Sequence, residues 1–196
     1  SERDWNKAIE NATRYEQATG EPMGKLIAQF ECELADRARA AGEIEDARAA
    51  VARAYAADAS SVRAGMLEGR IEAEAGNDAA AIRAFERAAR HDPDYLPEIL
   101  PTLLASYDRA GDATGARNFL AGMTEHYRGI APVLALTRLV EAEQGAAAGR
   151  SFLAGQLKDR PSMRGEAAWA TNRSSRMRRS AKVLSRRSSP SATRRS

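Results

Sequence analysis

The sequence predicts an all-α fold, a solenoid of stacked helical hairpins, and three observations carry that prediction. Hydrophobic residues make up 43% of the 196 but aromatic residues only 6%, so the core must come mostly from Ala, Leu, Val and Ile, which favours closely packed helices. Long stretches combine Ala, Glu and Arg, and no segment alternates apolar and polar residues far enough to read as a strand. Gly42, Gly76, Gly111 and Gly145 stand 34, 35 and 34 residues apart, each closing an Ala-rich stretch. A fixed period of about 34 residues is the mark of tetratricopeptide repeats.

The elements follow in order. A first helix, Asp4 to Thr19, carries Trp5, Ala8, Ile9 and Ala12 and reads as the second half of a repeat whose first half is missing, so sequence upstream of Ser1 is expected. Lys25 to Ala41 offers Phe30 and Leu34 as bulk and Ala35 as the small residue at a close crossing. Gly42 closes it, because glycine adopts the left-handed conformation that ends a helix without a Cβ penalty. In Ile44 to Ala57 a small-large-small set, Ala47, Val51 and Ala54, uses spacings of four and three that hold one helical face. Ser61 to Ala75 pairs the small Gly69 with Ile71, while Glu68 fits poorly where an aliphatic residue is expected.

The same set recurs as Ala81, Phe85 and Ala88 in Asp78 to His91, where Pro93 ends the repeat at the place that Asp58 and Ala59 occupy one period earlier. Leu96 to Ala110 supplies Leu103, Leu104 and Tyr107, and Ala113 to Tyr127 repeats the set as Ala116, Leu120 and Met123. The last pair, Ala131 to Gln144 and Ala147 to Asp159, is degenerate: Gly149, Leu153 and Leu157 fall out of step, and Pro161 closes it.

A single hairpin cannot bury its own apolar face, so neighbours must stack, in this repeat class as a right-handed superhelix whose groove is lined by the first helix of each pair. The period places Gln29, Cys32, Asp36, Arg39, Arg63, Met66, Arg70, Glu98, Asp108 and Arg109 toward that groove. Mixed charges beside Met66 suit an extended peptide or a protein loop. Neither sign dominates as nucleic acid would require.

Nothing in the chain spells catalysis. His91 and His126, the two histidines, are 35 residues apart at equivalent places in the last turn of a second helix, about one repeat thickness (~10 Å or more) from each other, and suit helix C-termini better than a metal. Cys32 has no histidine placed to act as its base and reads as a packing or groove residue. As the lone cysteine it excludes an internal disulfide and a cysteine-based metal site. Acidic residues such as Glu43, Glu45 and Asp46 sit near Arg48 as on solvated helix faces. There is no phosphate-binding glycine loop, nucleophile elbow or zinc-protease motif, so no catalytic or metal-binding residue and no small-molecule substrate is expected.

The net charge of +3 hides an asymmetry. Asn172 to Ser196 holds eight Arg, Lys182 and no acidic residue, whereas residues 1 to 171 carry 21 basic and 27 acidic side chains. The chain therefore divides into a repeat domain, residues 1–164, truncated at its N-terminus, and a Ser/Arg-rich tail, residues 165–196, expected to be disordered. The tail reads either as an arm for nucleic acid or an anionic membrane, or as sequence foreign to this fold; the loss of repeat pattern and acidic residues after Glu166 favours the second. No apolar run approaches the ~18 residues that span a bilayer.

The run Phe30-Glu31-Cys32-Glu33-Leu34-Ala35, the segment Gly69-Arg70-Ile71 and the closing Pro161-Ser162-Met163-Arg164 resemble the cytoplasmic repeat domain of the lipopolysaccharide assembly protein B (LapB) family of Gram-negative bacteria, over roughly residues 4 to 164. The resemblance implies a regulatory adaptor on the cytoplasmic face of the inner membrane that helps the FtsH protease degrade LpxC, the deacetylase that commits precursors to lipid A. Family members carry an N-terminal transmembrane helix and a C-terminal rubredoxin-like metal module. These 196 residues include neither the anchor helix nor any cysteine after Cys32, so no cofactor is expected here and membrane attachment only through an anchor outside them. A homodimer stays open. The alternatives are a generic repeat scaffold for another complex and, third, a nucleic-acid-binding protein acting through the basic tail.

Overall fold

The computed structural model describes residues 4–127 and 129–160, and every described element is a helix. In order these are α1 (Trp5–Thr19), α2 (Gly24–Ala41), α3 (Ile44–Ala57), α4 (Val62–Glu74), α5 (Asp78–His91), a 3-10 turn at Pro93–Tyr95, α6 (Leu96–Ala110), α7 (Ala113–His126), α8 (Ala131–Gln144) and α9 (Ala146–Asp159). The all-α helical-repeat prediction holds, and α2/α3, α4/α5, α6/α7 and α8/α9 are its hairpins. One compact unit ends at Tyr127 and holds α1 to α7; the next begins at Arg128 and holds α8 and α9. The Ser/Arg tail and the Pro161 to Arg164 segment lie outside the described residues, as does the side chain of His126.

The sequence period is also a period of backbone geometry. Gly42, Gly76 and Gly111 have φ of 78°, 77° and 69°, a region where L side chains are strained. At each, the next residue donates back five positions: Glu43 to Ala38, Asn77 to Glu72 and Asp112 to Tyr107, at 2.8 to 3.0 Å. That is the Schellman closure, which satisfies carbonyls otherwise orphaned at the helix end. The hairpins' far ends repeat as well. Asp58 and Asp92 cap α3 and α5 with nearly equal dihedrals (φ −144°, ψ 99° and φ −138°, ψ 97°), and each side chain accepts a backbone N–H two residues on. Gly145 departs, with φ 87° and ψ 166°, in keeping with the degenerate final repeat.

The core is an alanine seam. Ala28, Cys32 and Ala35 of α2 meet Ala47, Ala50, Val51 and Ala54 of α3, and Ala64, Leu67 and Ile71 of α4 continue the cluster. All three small-large-small sets are buried, so small residues at spacings of four and three do mark the close crossings. In α1, Trp5 stacks on Phe30 of α2 with centroids 5.5 Å apart. In the second unit, Leu153 and Leu157 of α9 pack against Ile130 and Val133, so residues out of strict step still find the core.

Glu68 has a physical explanation. The Tyr55 hydroxyl of α3 donates to it at 2.9 Å, and Arg87 of α5 reaches both Glu68 and Tyr55. A polar junction thus replaces the aliphatic residue expected there, and each buried polar atom in it has a partner. Burial, with the Glu68 charge nearby, pushes the Tyr55 hydroxyl up to about 12 against the lowering hydrogen bond from Arg87.

Candidate protein-binding groove

Three first helices build one open groove in the first unit. Gln29 and Asp36 come from α2, Arg63, Met66, Leu67 and Arg70 from α4, Glu98 from α6, and Tyr95 from the turn before it; together they line about 510 Å³. Positions 29 and 36 are seven residues apart, as are 63 and 70, with 66 between the latter, so each set shares a helical face by the 3.6 period. Met66 and Leu67 are largely buried and form an apolar floor, whereas Tyr95 is 43% exposed at the rim.

Charges are ordered across the groove. The central helix α4 contributes the cations and its neighbours the anions: Arg63 donates to Glu33 of α2 at 2.8 Å, and Arg70 to Glu98 of α6. Arg39 bridges Asp36 at 2.8 Å and Glu74 of α4 at 2.7 Å. The hydrogen bond to Asp36 holds the Arg39 guanidinium above its ordinary range. The groove therefore presents both signs over an apolar base, not a field of one sign.

Six of the ten residues assigned to the groove from sequence meet in it: Gln29, Asp36, Arg63, Met66, Arg70 and Glu98. The other four stand elsewhere. Cys32 has 0% exposure and belongs to the α2–α4 core, which corrects its assignment to the groove. Its neighbours at four and three residues, Ala28 and Ala35, form the stripe that packs on α3, and this spacing in the sequence could have placed it. Burial raises the Cys32 thiol. Arg39 lies beside the groove, spent on its two carboxylates.

Asp108 and Arg109 close α6 outside it. Arg109 grips Asp78 of α5 through two nitrogens and also reaches Ser106, so it fastens α6 to α5. That hydrogen bond holds the Asp78 carboxyl below its ordinary range. Sequence reasoning missed Tyr95, which sits in a 3-10 turn set by Pro93 and so has no place in a helical period.

Among the described residues no group of three or more His, Cys, Asp or Glu side chains is disposed to hold a metal ion. None of the described helices is long and apolar enough to cross a membrane.

The repeated backbone closures and the groove across successive first helices define a helical-repeat protein of the tetratricopeptide type. No known family profile matches the chain. Its sequence is similar to lipopolysaccharide assembly protein B of Escherichia coli (strain K12), 29% identical over 161 residues, covering 82% of this chain and 41% of that protein. The protein of the same name from Haemophilus influenzae is 25% identical over 160 residues, covering 82% of this chain and 40% of the relative. The resemblance to the LapB family is thereby borne out, and the chain spans about two fifths of the length of these curated relatives.

Proposed function

We propose that this chain is a non-catalytic, protein-binding adaptor that acts in lipopolysaccharide assembly on the cytoplasmic face of the bacterial inner membrane. The groove across α2, α4 and α6 carries the reading: an open trough with an apolar floor and both charges in its walls suits a segment of another protein. The process comes from the name of its relatives. In its finer form the proposal makes the FtsH protease and the LpxC deacetylase the partners, the adaptor raising the effective concentration of one beside the other. No cofactor takes part.

Titration of the chain with purified LpxC and with the soluble part of FtsH tests this. Binding to at least one is expected, and Arg70→Glu, which reverses a charge in the groove wall, weakens it by at least about tenfold, a change worth ~1.4 kcal/mol. Binding to neither protein overturns the assignment of partners. Binding that Arg70→Glu leaves intact overturns the groove.

A further inference from the structure

The two arginines in the groove wall are held by the chain but not saturated by it. Arg63 and Arg70 flank Met66 on one face of α4, about 10 Å apart along the helix axis. Each donates from a single terminal nitrogen, Arg63 to Glu33 on one side and Arg70 to Glu98 on the other. A guanidinium carries five N–H donors, so donors remain on both. By contrast, Arg39, Arg48 and Arg109 each spend two or more nitrogens on two different acceptors. The Arg63 and Arg70 side chains are 42% and 36% exposed, which leaves the spare donors open to the groove. Glu33 and Glu98 draw the two guanidinium groups toward α2 and α6 respectively.

We infer that the groove reads an extended segment of its partner in which two carboxylates four residues apart flank an apolar residue, an inference that rests on the adaptor reading above. In an extended chain residues i, i+2 and i+4 point to one side and span about 13 Å. Two acidic side chains then reach the spare donors of Arg63 and Arg70 while the residue between them settles on Met66 and Tyr95. Charge-assisted bonds of this kind are about twice as strong as neutral ones, and the planar guanidinium fixes their direction. The in-chain glutamates orient the arginines and cancel their net charge. A partner is therefore selected by the spacing of its acceptors, and a longer acidic run gains nothing because Asp36 and Glu98 repel it.

Three capped peptides that differ only at the two outer positions, Asp-Ala-Leu-Ala-Asp, Asn-Ala-Leu-Ala-Asn and Lys-Ala-Leu-Ala-Lys, titrated into the isotope-labelled full chain, test this by amide chemical shifts. The Asp peptide is expected to move resonances of α4 and to bind at least about tenfold more tightly than the other two. The double variant Arg63→Gln, Arg70→Gln abolishes that preference while keeping a folded spectrum. Glu98→Gln, which frees Arg70 from its in-chain partner, tightens the Asp peptide. Equal or better binding of the Asn or Lys peptide overturns the inference while leaving the groove as a docking surface. A preference for Asp that survives the double variant, weaker binding in Glu98→Gln, or no movement of α4 with any peptide also overturns it. The adaptor reading fails separately, on absent binding of FtsH and LpxC.

Discussion

The ring of Phe85 fills the space that a side chain at Gly69 would need. A Cβ built on Gly69 lies 2.6 Å from two ring carbons of Phe85, which is itself buried between α4 and α5. Glycine is required here by close approach, since its helix is regular. Gly69→Ala is therefore expected to destabilise the fold by ~1–3 kcal/mol through overpacking. Gly122→Ala is the control: its added methyl meets nothing within 4 Å, and inside α7 it should stabilise by ~0.5–1 kcal/mol. Urea denaturation of both variants checks the pair, and equal midpoints would show that Phe85 moves aside freely.

Ala81 is fully buried beside Phe85 and Ala88 in the same crossing. Ala81→Leu should cost on the order of 1–3 kcal/mol, because the α4–α5 interface has no room for the added carbons. Thermal unfolding indistinguishable from the parent would sink that account of the crossing.

The Tyr55–Glu68–Arg87 junction predicts alkaline behaviour. Burial raises the folded-state value of Tyr55 to about 12, against an ordinary value of 10.0. Between those values the unfolded chain has lost the phenolic proton and the folded chain keeps it, so Tyr55's contribution to stability is complete below pH 10 and falls as pH rises toward 12. Ultraviolet titration should show two tyrosines ionising late, Tyr55 and then Tyr107, whose hydroxyl burial and Glu86 push higher still, and Tyr55→Phe should remove the earlier of these two steps. If both late steps persist in Tyr55→Phe, the assignment fails.

At the acid end Glu72 has the opposite sign. Hydrogen bonds from Arg48 hold its carboxyl below the ordinary value of 4.5, with Asn77 adding to the effect. A depressed folded-state value contributes stability that is complete above pH 4.5 and lost as pH falls through the lower folded value. Glu72→Gln should be less stable than the parent at neutral pH, and the gap should close below pH 4.5. A gap independent of pH would show that Arg48 and Glu72 are coupled by shape alone.

Legibility in the sequence follows the physics of each feature. Helix spans were readable because a 34-residue period, glycine closures and small-large-small spacing are all local, and the observed ends differ from the expected ones by one residue wherever they differ. Two positions are harder to read. Arg109 lies on a first helix as the period requires, yet which way its long side chain turns depends on Asp78, 31 residues away on another helix. Register alone gives Cys32 to the groove, although Ala28 and Ala35 on the same stripe mark that face for packing. Which glutamate meets which arginine across helices is set by how the hairpins superpose, and no spacing along the chain states it.

The last prediction concerns Tyr95, the groove residue that periodicity does not reach. It is held at the rim by the Pro93–Tyr95 turn, whose Asp92 side chain accepts from the Asp94 N–H at 3.1 Å. At 43% exposure its ring supports little of the core, so Tyr95→Ser should change stability by no more than ~0.5 kcal/mol, the usual range for a surface substitution. In a bound complex the same ring offers a rigid, amphipathic surface at small entropic cost, and aromatic residues in such places often carry a large share of binding energy. Loss of the ring should therefore weaken partner binding by about tenfold, ~1.4 kcal/mol. Calorimetric titration beside a thermal melt separates the two roles. Weaker binding at unchanged melting temperature places Tyr95 in the recognition surface. A lowered melting temperature with the same loss of binding would make it a brace for α6, and unchanged binding would move the docking surface off the Tyr95 rim.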